Sequence, residues 1–173
     1  MLIRKETKKD YEAINELVKD AFKTAEVTDG GEHRFVDFRR RSGRYIPDLS
    51  LVAEVKNKIV GYIMISETYV SCNGNNHLVL YLAPLAVDKN FRKENVGGRL
   101  VKYSLSKAKD MGYKAVFLAG NENYYKRFGF VPTCIYEIEC NIKISEEQKK
   151  NIMVCELYPG ALKGITGTVM FND

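Results

Sequence analysis

Tryptophan is absent from the 173 residues, and cysteine, proline and histidine are scarce, with four, four and two copies. Cys72, Cys134, Cys140 and Cys155 form no CxxC pair, and with two histidines they match no zinc-ligand spacing. A disulfide framework and a metal site are therefore both excluded, and the thiols are expected to be free. No apolar run approaches the ~20 residues that a membrane-spanning helix requires. The opening MLIRKETKKD carries charge with no hydrophobic stretch behind it, so no secretory leader is expected and the chain is read as cytoplasmic. Gly/Ser linkers, repeats and low-complexity tracts are also missing, which leaves a single domain over residues 1–173.

What is present is ordinary globular material, 45% apolar and 28% charged. The 27 Lys and Arg against 22 Asp and Glu give +5, a modest excess that argues against a nucleic-acid binder. Basic residues gather at Arg39, Arg40, Arg41 and Arg44, and again at Lys89, Arg92 and Lys93, a pattern that fits two anion contacts or two solvated surfaces.

A short strand is expected at residues 2–4. Thr7 with Asp10 has the form of a capping box, and Tyr11, Ile14, Leu17, Val18, Ala21 and Phe22 recur behind it at helical spacing. Past a Thr28-Asp29-Gly30-Gly31 break, residues 32–42 predict a second helix with Phe35 and Phe38 inward and the arginines outward. Residues 51–55 and 59–67 flank Lys56-Asn57-Lys58 as an antiparallel hairpin, and Asn73-Gly74 marks another reversal. The run LVLYLAPLAV, residues 78–87, predicts a central strand buried on both faces. Pro84 in its middle cannot donate to a ladder, so the sheet is expected to part there and leave backbone groups for a ligand. Val96, Leu100, Tyr103, Ala108 and Met111 describe a helix ending at Gly112. Residues 114–119 predict a further strand, Asn121 or Asn123 a cap for a short helix reaching Gly129, and the remainder strands around a polar SEEQKKN turn.

Between the proline-bearing strand and the helix lies DKNFRKENVGG, residues 88–98. Two positive charges and a flexible backbone at a helix start suit a diphosphate, because unpaired N–H groups and the helix dipole both favour an anion. The segment is neither a Walker loop, lacking GK[ST], nor a dinucleotide fingerprint, lacking GxGxxG. On its own it also fits a solvated strand-to-helix turn.

The string LAPLAVDKNFRKENVGGRL resembles the acetyl-CoA motif of the GNAT family of N-acetyltransferases, whose loop reads Gln/Arg-x-x-Gly-x-Gly/Ala. Arg92-Lys93-Glu94-Asn95-Val96-Gly97 fits it except at Asn95, where the family has glycine; asparagine tolerates left-handed backbone better than most residues. Tyr124-Tyr125-Lys126-Arg127-Phe128-Gly129-Phe130 is similar to the family's Tyr-x-x-x-Gly-Phe ending. Glu156-Leu157-Tyr158-Pro159-Gly160-Ala161-Leu162, followed by Gly167-Thr168-Val169, resembles the tail of the YhbS-like branch. The resemblance implies an α/β (α+β) fold with a mixed, mostly antiparallel central sheet splayed at 78–87 and helices on both faces. It also implies an acetyl-CoA-binding core over about 51–132 and a C-terminal part over 133–173 that completes the sheet and the substrate side.

The activity so implied is transfer of an acetyl group from acetyl-CoA, a co-substrate, to an amine by direct attack in a ternary complex, with no metal. Backbone groups of Leu85, Ala86 and Val87 would bind the pantetheine arm and polarise the thioester. The N–H groups of Arg92, Lys93, Glu94, Asn95, Val96, Gly97 and Gly98 would hold the pyrophosphate, Arg92 or Lys93 adding charge, and Asn121 or Asn123 would touch the coenzyme. Tyr125 matches the family's general acid, placed to protonate the departing thiolate. A lysine-like amine of pKa ~10.4 is neutral in about one molecule in 2,500 at pH 7, a deficit of ~4.6 kcal/mol, so a base is required. Glu32 and Glu67 are the candidates, each of which also fits an ordinary surface charge. A second reading keeps the loop without the acid and base, as a non-catalytic acyl-CoA-binding sensor or interaction module. The partners expected are acetyl-CoA and an amine-bearing acceptor, with no membrane; monomer and homodimer both fit.

Overall fold

The predicted capping box forms: the Thr7 amide and hydroxyl both donate to Asp10 Oδ2, at 2.7 and 2.9 Å. Arg4 grips the same carboxylate with both Nη atoms, at 2.8 and 2.9 Å. A 3-10 turn over Lys8–Asp10 leads into helix α1, Tyr11–Phe22. This computed structural model describes residues 1–23 and 30–171; strand β1 covers Leu2–Lys5 and helix α2 covers Glu32–Arg41. The Thr28-Asp29 part of the expected break lies outside the described residues.

The face that α2 buries is not the expected one. Val36 and Arg39 are fully buried while Phe38 is 55% exposed, and the Arg40 side chain keeps only 4% of its surface. Arg40 donates to Glu6 through Nε and Nη2, at 3.2 and 2.6 Å, and Tyr45 donates to the same carboxylate at 2.8 Å. Its guanidinium lies 3.7 Å from the Tyr11 ring centroid, and that of Arg39 lies 5.0 Å from the Phe35 ring centroid. A buried carboxylate needs a partner, and a flat guanidinium can stack on rings, so the arginines turn inward. Removing Arg40 would strand the buried Glu6 carboxylate at a cost of about 3–5 kcal/mol, whereas Arg40 without Glu6 would keep its bond to Asp37 Oδ1 at 3.0 Å.

Strands β2, Ser50–Val55, and β3, Lys58–Cys72, form the predicted hairpin on Lys56 and Asn57, whose φ angles are 48° and 62°. Strand β4, Asn75–Val87, follows β3 through Asn73 and Gly74, at 48° and 81°. Two adjacent left-handed residues suit the twist of a two-residue hairpin. The chain gathers into two units, Met1–Ser66 with Leu82–Lys107, and Glu67–Tyr81 with Ala108–Asp173. Strands β3 and β4 and helix α3, Val96–Asp110, contribute residues to both.

In the first unit β1 runs antiparallel to β2 and β2 to β3, with β4 beside β3. Val52, Tyr62, Met64 and Ala86 form a core with Ile14, Val18 and Val36 of α1 and α2. The other face meets α3, because a Cβ on Gly61 would stand 2.7 Å from Val96 and 3.0 Å from Leu100. Helices therefore cover both faces of this sheet.

In the second unit β4 pairs in parallel with β5, Ala115–Ala119, at Leu80 with Val116 and Tyr81 with Phe117. That ladder ends at Tyr81, short of Pro84, whose bond to Ala83 is cis. Leu78, at the head of the apolar run, is 55% exposed rather than buried. After helix α4, Glu122–Tyr125, come four short strands: β6, Val131–Pro132; β7, Ile138–Cys140; β8, Ile152–Glu156; and β9, Gly167–Val169. Strand β8 is antiparallel to β5 and β6, while β9 joins β3 antiparallel and β7 in parallel. Val79, Phe117, Ile138, Val154, Leu162 and Phe171 lie in its core. The Glu156 carboxylate accepts the amides of Gly160 and Leu162, at 3.2 and 2.7 Å, which closes the loop after β8. All four cysteines are free, and among the described residues no helix is long and apolar enough to cross a membrane.

Candidate active site

The anion-suited loop is built from its two ends. Asp88 accepts the Asn90 amide at 2.9 Å and the Lys58 ammonium at 2.8 Å, interactions that hold its carboxyl below the usual range. A 3-10 turn over Lys89–Glu94 follows, and the chain reverses at Asn95, with φ 55° and ψ 28°, directly into α3. Arg92, Lys93, Glu94 and Asn95 are exposed, whereas Val96, Gly97 and Gly98 are buried. No acidic residue lies in the first turn of α3, and in the loop ahead of it Arg92 and Lys93 outnumber Glu94, so the net charge there favours an anion. A Cβ on Gly98 would stand 2.1 Å from Asn95 Oδ1, so glycine here makes room for the asparagine side chain. Arg92 turns back to donate to the Ala21 carbonyl at 3.3 Å, near the end of α1. Leu85 and Val87 are half-buried and Ala86 belongs to the core, so the side chains of this strand segment serve packing. Beside the loop a cleft of about 1020 Å³ is lined by α1, by Asn57, Lys58 and Ile59, and by Asp88, Lys89, Asn90 and Arg92.

The tyrosine neighbourhood belongs to the second unit. Asn121 caps α4, its side chain accepting the Asn123 amide at 2.8 Å, while Asn123 accepts Lys126 at 3.2 Å; both asparagines are exposed. The Tyr125 ring meets Tyr124 edge-on at 4.9 Å and Phe130 at 5.6 Å. It also lies across Gly120, where a Cβ would come within 2.6 Å of the ring. Burial, with Tyr124 and Tyr81 nearby, pushes the Tyr125 phenol well above its ordinary range. Gly120 escapes a reading by motif, although an isolated glycine directly after a strand is a known sign of close approach.

The two candidate bases have different settings. Glu32 opens α2 and lines a second, more open cleft with Glu16, Lys19 and His33. Glu67, half-buried on β3, accepts the Tyr113 hydroxyl at 2.7 Å. Tyr113 is fixed by the end of α3, where Gly112 has φ 86° and the Tyr113 amide donates to the Ala108 carbonyl at 3.1 Å. Burial and the Glu67 carboxylate push that phenol up to about 12. No sequence spacing links Glu67 to Tyr113, which is why the pair was not expected. Among the described residues no group of three His, Cys, Asp or Glu side chains is placed to hold a metal ion.

Residues 11–130 match the model of the acetyltransferase (GNAT) family. The chain belongs to the GNAT family. An uncharacterised N-acetyltransferase of Escherichia coli K12, YhbS, is 30% identical over 174 residues, which cover 100% of this chain and 97% of the relative. The crystal structure of E. coli YhbS in complex with CoA is similar with a TM-score of 0.85 at 28% identity, over 99% of this chain and 89% of that one. A GNAT acetyltransferase from Brucella melitensis, in complex with acetyl-CoA, has a TM-score of 0.78 at 24% identity, over 99% and 95%. The expected GNAT fold, a mixed and mostly antiparallel sheet with helices, is borne out. The one residue at which this loop departs from the motif it resembles, Asn95, has left-handed backbone.

Proposed function

We propose that the protein is an acetyl-CoA-dependent N-acetyltransferase that passes the acetyl group directly to an amine in a ternary complex, residues 1–173 acting as one catalytic domain. The observation that carries this reading is the start of α3, a buried glycine-bearing first turn with no acidic residue of its own, preceded by exposed Arg92 and Lys93, whose two positive charges outnumber that of Glu94 beside them. The CoA and acetyl-CoA held by the two solved relatives support the coenzyme as the occupant. Backbone groups of Leu85, Ala86 and Val87 take the pantetheine arm, and the amides of the loop take the pyrophosphate. The amine nitrogen attacks the thioester carbon, the new C–N bond replaces the C–S bond, and the amine's proton leaves to Glu32 or Glu67, directly or through water.

Tyr125 serves the departing sulfur. A phenol near 10 is a weaker acid than a thiol near 8.5, so complete transfer to the thiolate is uphill by about 2 kcal/mol before burial steepens it. The contribution of Tyr125 is therefore a hydrogen bond to the thiolate as it develops, and full protonation of CoA follows from solvent. Because Tyr125 stays protonated, any fall in rate below about pH 10 arises from another group.

Tyr125→Phe tests this reading. It is expected to slow transfer about 100-fold, read as released thiol with a panel of amines, while calorimetry finds acetyl-CoA affinity within about twofold of wild type. Transfer at the wild-type rate would remove the role given to Tyr125. Coenzyme uptake with no transfer to any amine by the wild-type protein would favour the acyl-CoA-binding sensor, and no uptake at millimolar acetyl-CoA would end the coenzyme reading.

A further inference from the structure

Tyr81 stands where the ladder between β4 and β5 ends. Its partner in that last pair, Phe117, lies three residues, about 10 Å of strand, ahead of Gly120, the seat of the Tyr125 ring. The Tyr81 ring is half-buried and packs on the core to which Phe117 and Phe171 belong. It stacks on the fully buried ring of Phe171, with centroids 4.3 Å apart and planes at 27°. Phe171 is itself tied down. Its amide donates to Asn141 Oδ1 at 2.8 Å, the Met170 amide donates to the Tyr69 carbonyl at 3.0 Å, and the Thr68 hydroxyl donates to the Met170 carbonyl. These bonds, to β3 and to the residue after β7, fix the Phe171 ring and, through the stack, the ring of Tyr81. Burial first, then Tyr124 and Tyr81, raise the Tyr125 phenol, so the Tyr81 hydroxyl lies within electrostatic reach of it.

We propose that Tyr81 is a second phenol at the reacting centre, its oxygen accepting an N–H of the attacking amine while Tyr125 donates to the departing sulfur, and that Phe171 is the positioning residue that holds Tyr81 there. A phenol serves either end of the reaction, because its oxygen can donate one hydrogen bond and accept another. A neutral amine keeps its N–H bonds as it attacks, and holding one of them on a fixed oxygen aims the nitrogen lone pair at the thioester carbon. Tyr81 takes no proton; that still leaves to the base. This role rests on the acetyltransferase reading and adds to it a group on the acceptor side.

The test is steady-state transfer to ethanolamine, benzylamine, lysine and spermidine, read as released thiol, in wild type, Tyr81→Phe, Phe171→Leu and the double variant. Thermal unfolding and calorimetric titration with acetyl-CoA are recorded alongside. Tyr81→Phe keeps the stack and loses only the oxygen. It is expected to lower kcat/KM for the amine about tenfold, the worth of one hydrogen bond, with acetyl-CoA affinity within about twofold of wild type. Phe171→Leu is expected to lower kcat/KM about threefold in the wild-type background and to change nothing further in Tyr81→Phe, because a residue that acts through the hydroxyl has no effect once the hydroxyl is gone. A purely structural role would multiply the two losses. Unchanged kcat/KM in Tyr81→Phe overturns the inference, as does a multiplied loss in the double variant or a matching loss of acetyl-CoA affinity; if Phe171→Leu fails to fold, Tyr81→Phe alone decides. Absence of transfer to any of these amines by the wild type strikes the acetyltransferase reading itself, and the role of Tyr81 with it.

Discussion

Helices α3 and α4 both open on an asparagine beside a glycine whose missing side chain another group fills, yet the two starts are built for opposite purposes. Asn95 is left-handed and lies over its own Gly98, whereas Asn121 is extended, with φ −67° and ψ 116°, and caps the Asn123 amide. The first turn of α4 carries Glu122, so the chain supplies its own negative charge there; the first turn of α3 carries none. The dipole of a fifteen-residue helix is also more fully developed than that of a four-residue one. Space at Gly98 is taken by a carboxamide and space at Gly120 by the Tyr125 ring. One start carries no acid in its first turn and, on the proposed reading, receives the coenzyme's charge; the other holds an aromatic ring in the space its glycine leaves.

The contrast can be broken most forcefully at Gly120. Gly120→Ala drives a methyl into the Tyr125 ring, and because small misplacements cost steeply at a reacting centre, turnover is expected to fall about tenfold while CoA affinity stays within about twofold. Unchanged turnover would mean that the ring's position is irrelevant to the chemistry. Asn121→Ala, which removes only a cap, is expected to cost about 1 kcal/mol in urea unfolding and to speed hydrogen exchange at the Asn123 amide. The smallest effect sharpens the other half. Gly98→Ala alone collides with Asn95 and is expected to destabilise by a few tenths of a kcal/mol, roughly the excess of the clash over the gain in helix propensity. In an Asn95→Gly background the clash is gone, and the same change is expected to stabilise by up to about 1 kcal/mol. The same sign in both backgrounds, read from urea midpoints, would dissolve the pairing of the two residues.

What was legible in the sequence was local. The Thr7–Asp10 box, the hairpins at Asn57 and Asn73-Gly74, and the helix ends at Gly112 and Gly129 all depend on neighbours a few residues away, and each stands where its residues predict. The loop before α3 was legible for the same reason. The buried face of α2 was not, because Arg40 turns inward to meet Glu6, 34 residues distant, and no helical periodicity encodes such a partner. Strands β6, β7 and β9 span two or three residues, too few for alternation to register. At the candidate site, motif spacing pointed to Tyr125 and Asn95, while Gly120 beneath the ring and Tyr113 against Glu67 emerge only once distant segments meet.

The double grip of Arg4 on Asp10 gives the amino terminus an acid-proof buckle. With Arg4 bonding it, and despite opposing desolvation, the Asp10 carboxyl titrates at about 2 instead of 3.8. A lowered folded-state value means that the clasp is at full strength above about pH 4 and slackens only as the medium is taken down towards pH 2. Mild souring should therefore leave the junction of β1 with α1 fastened, and any early loosening of the chain in acid must begin at some other seam.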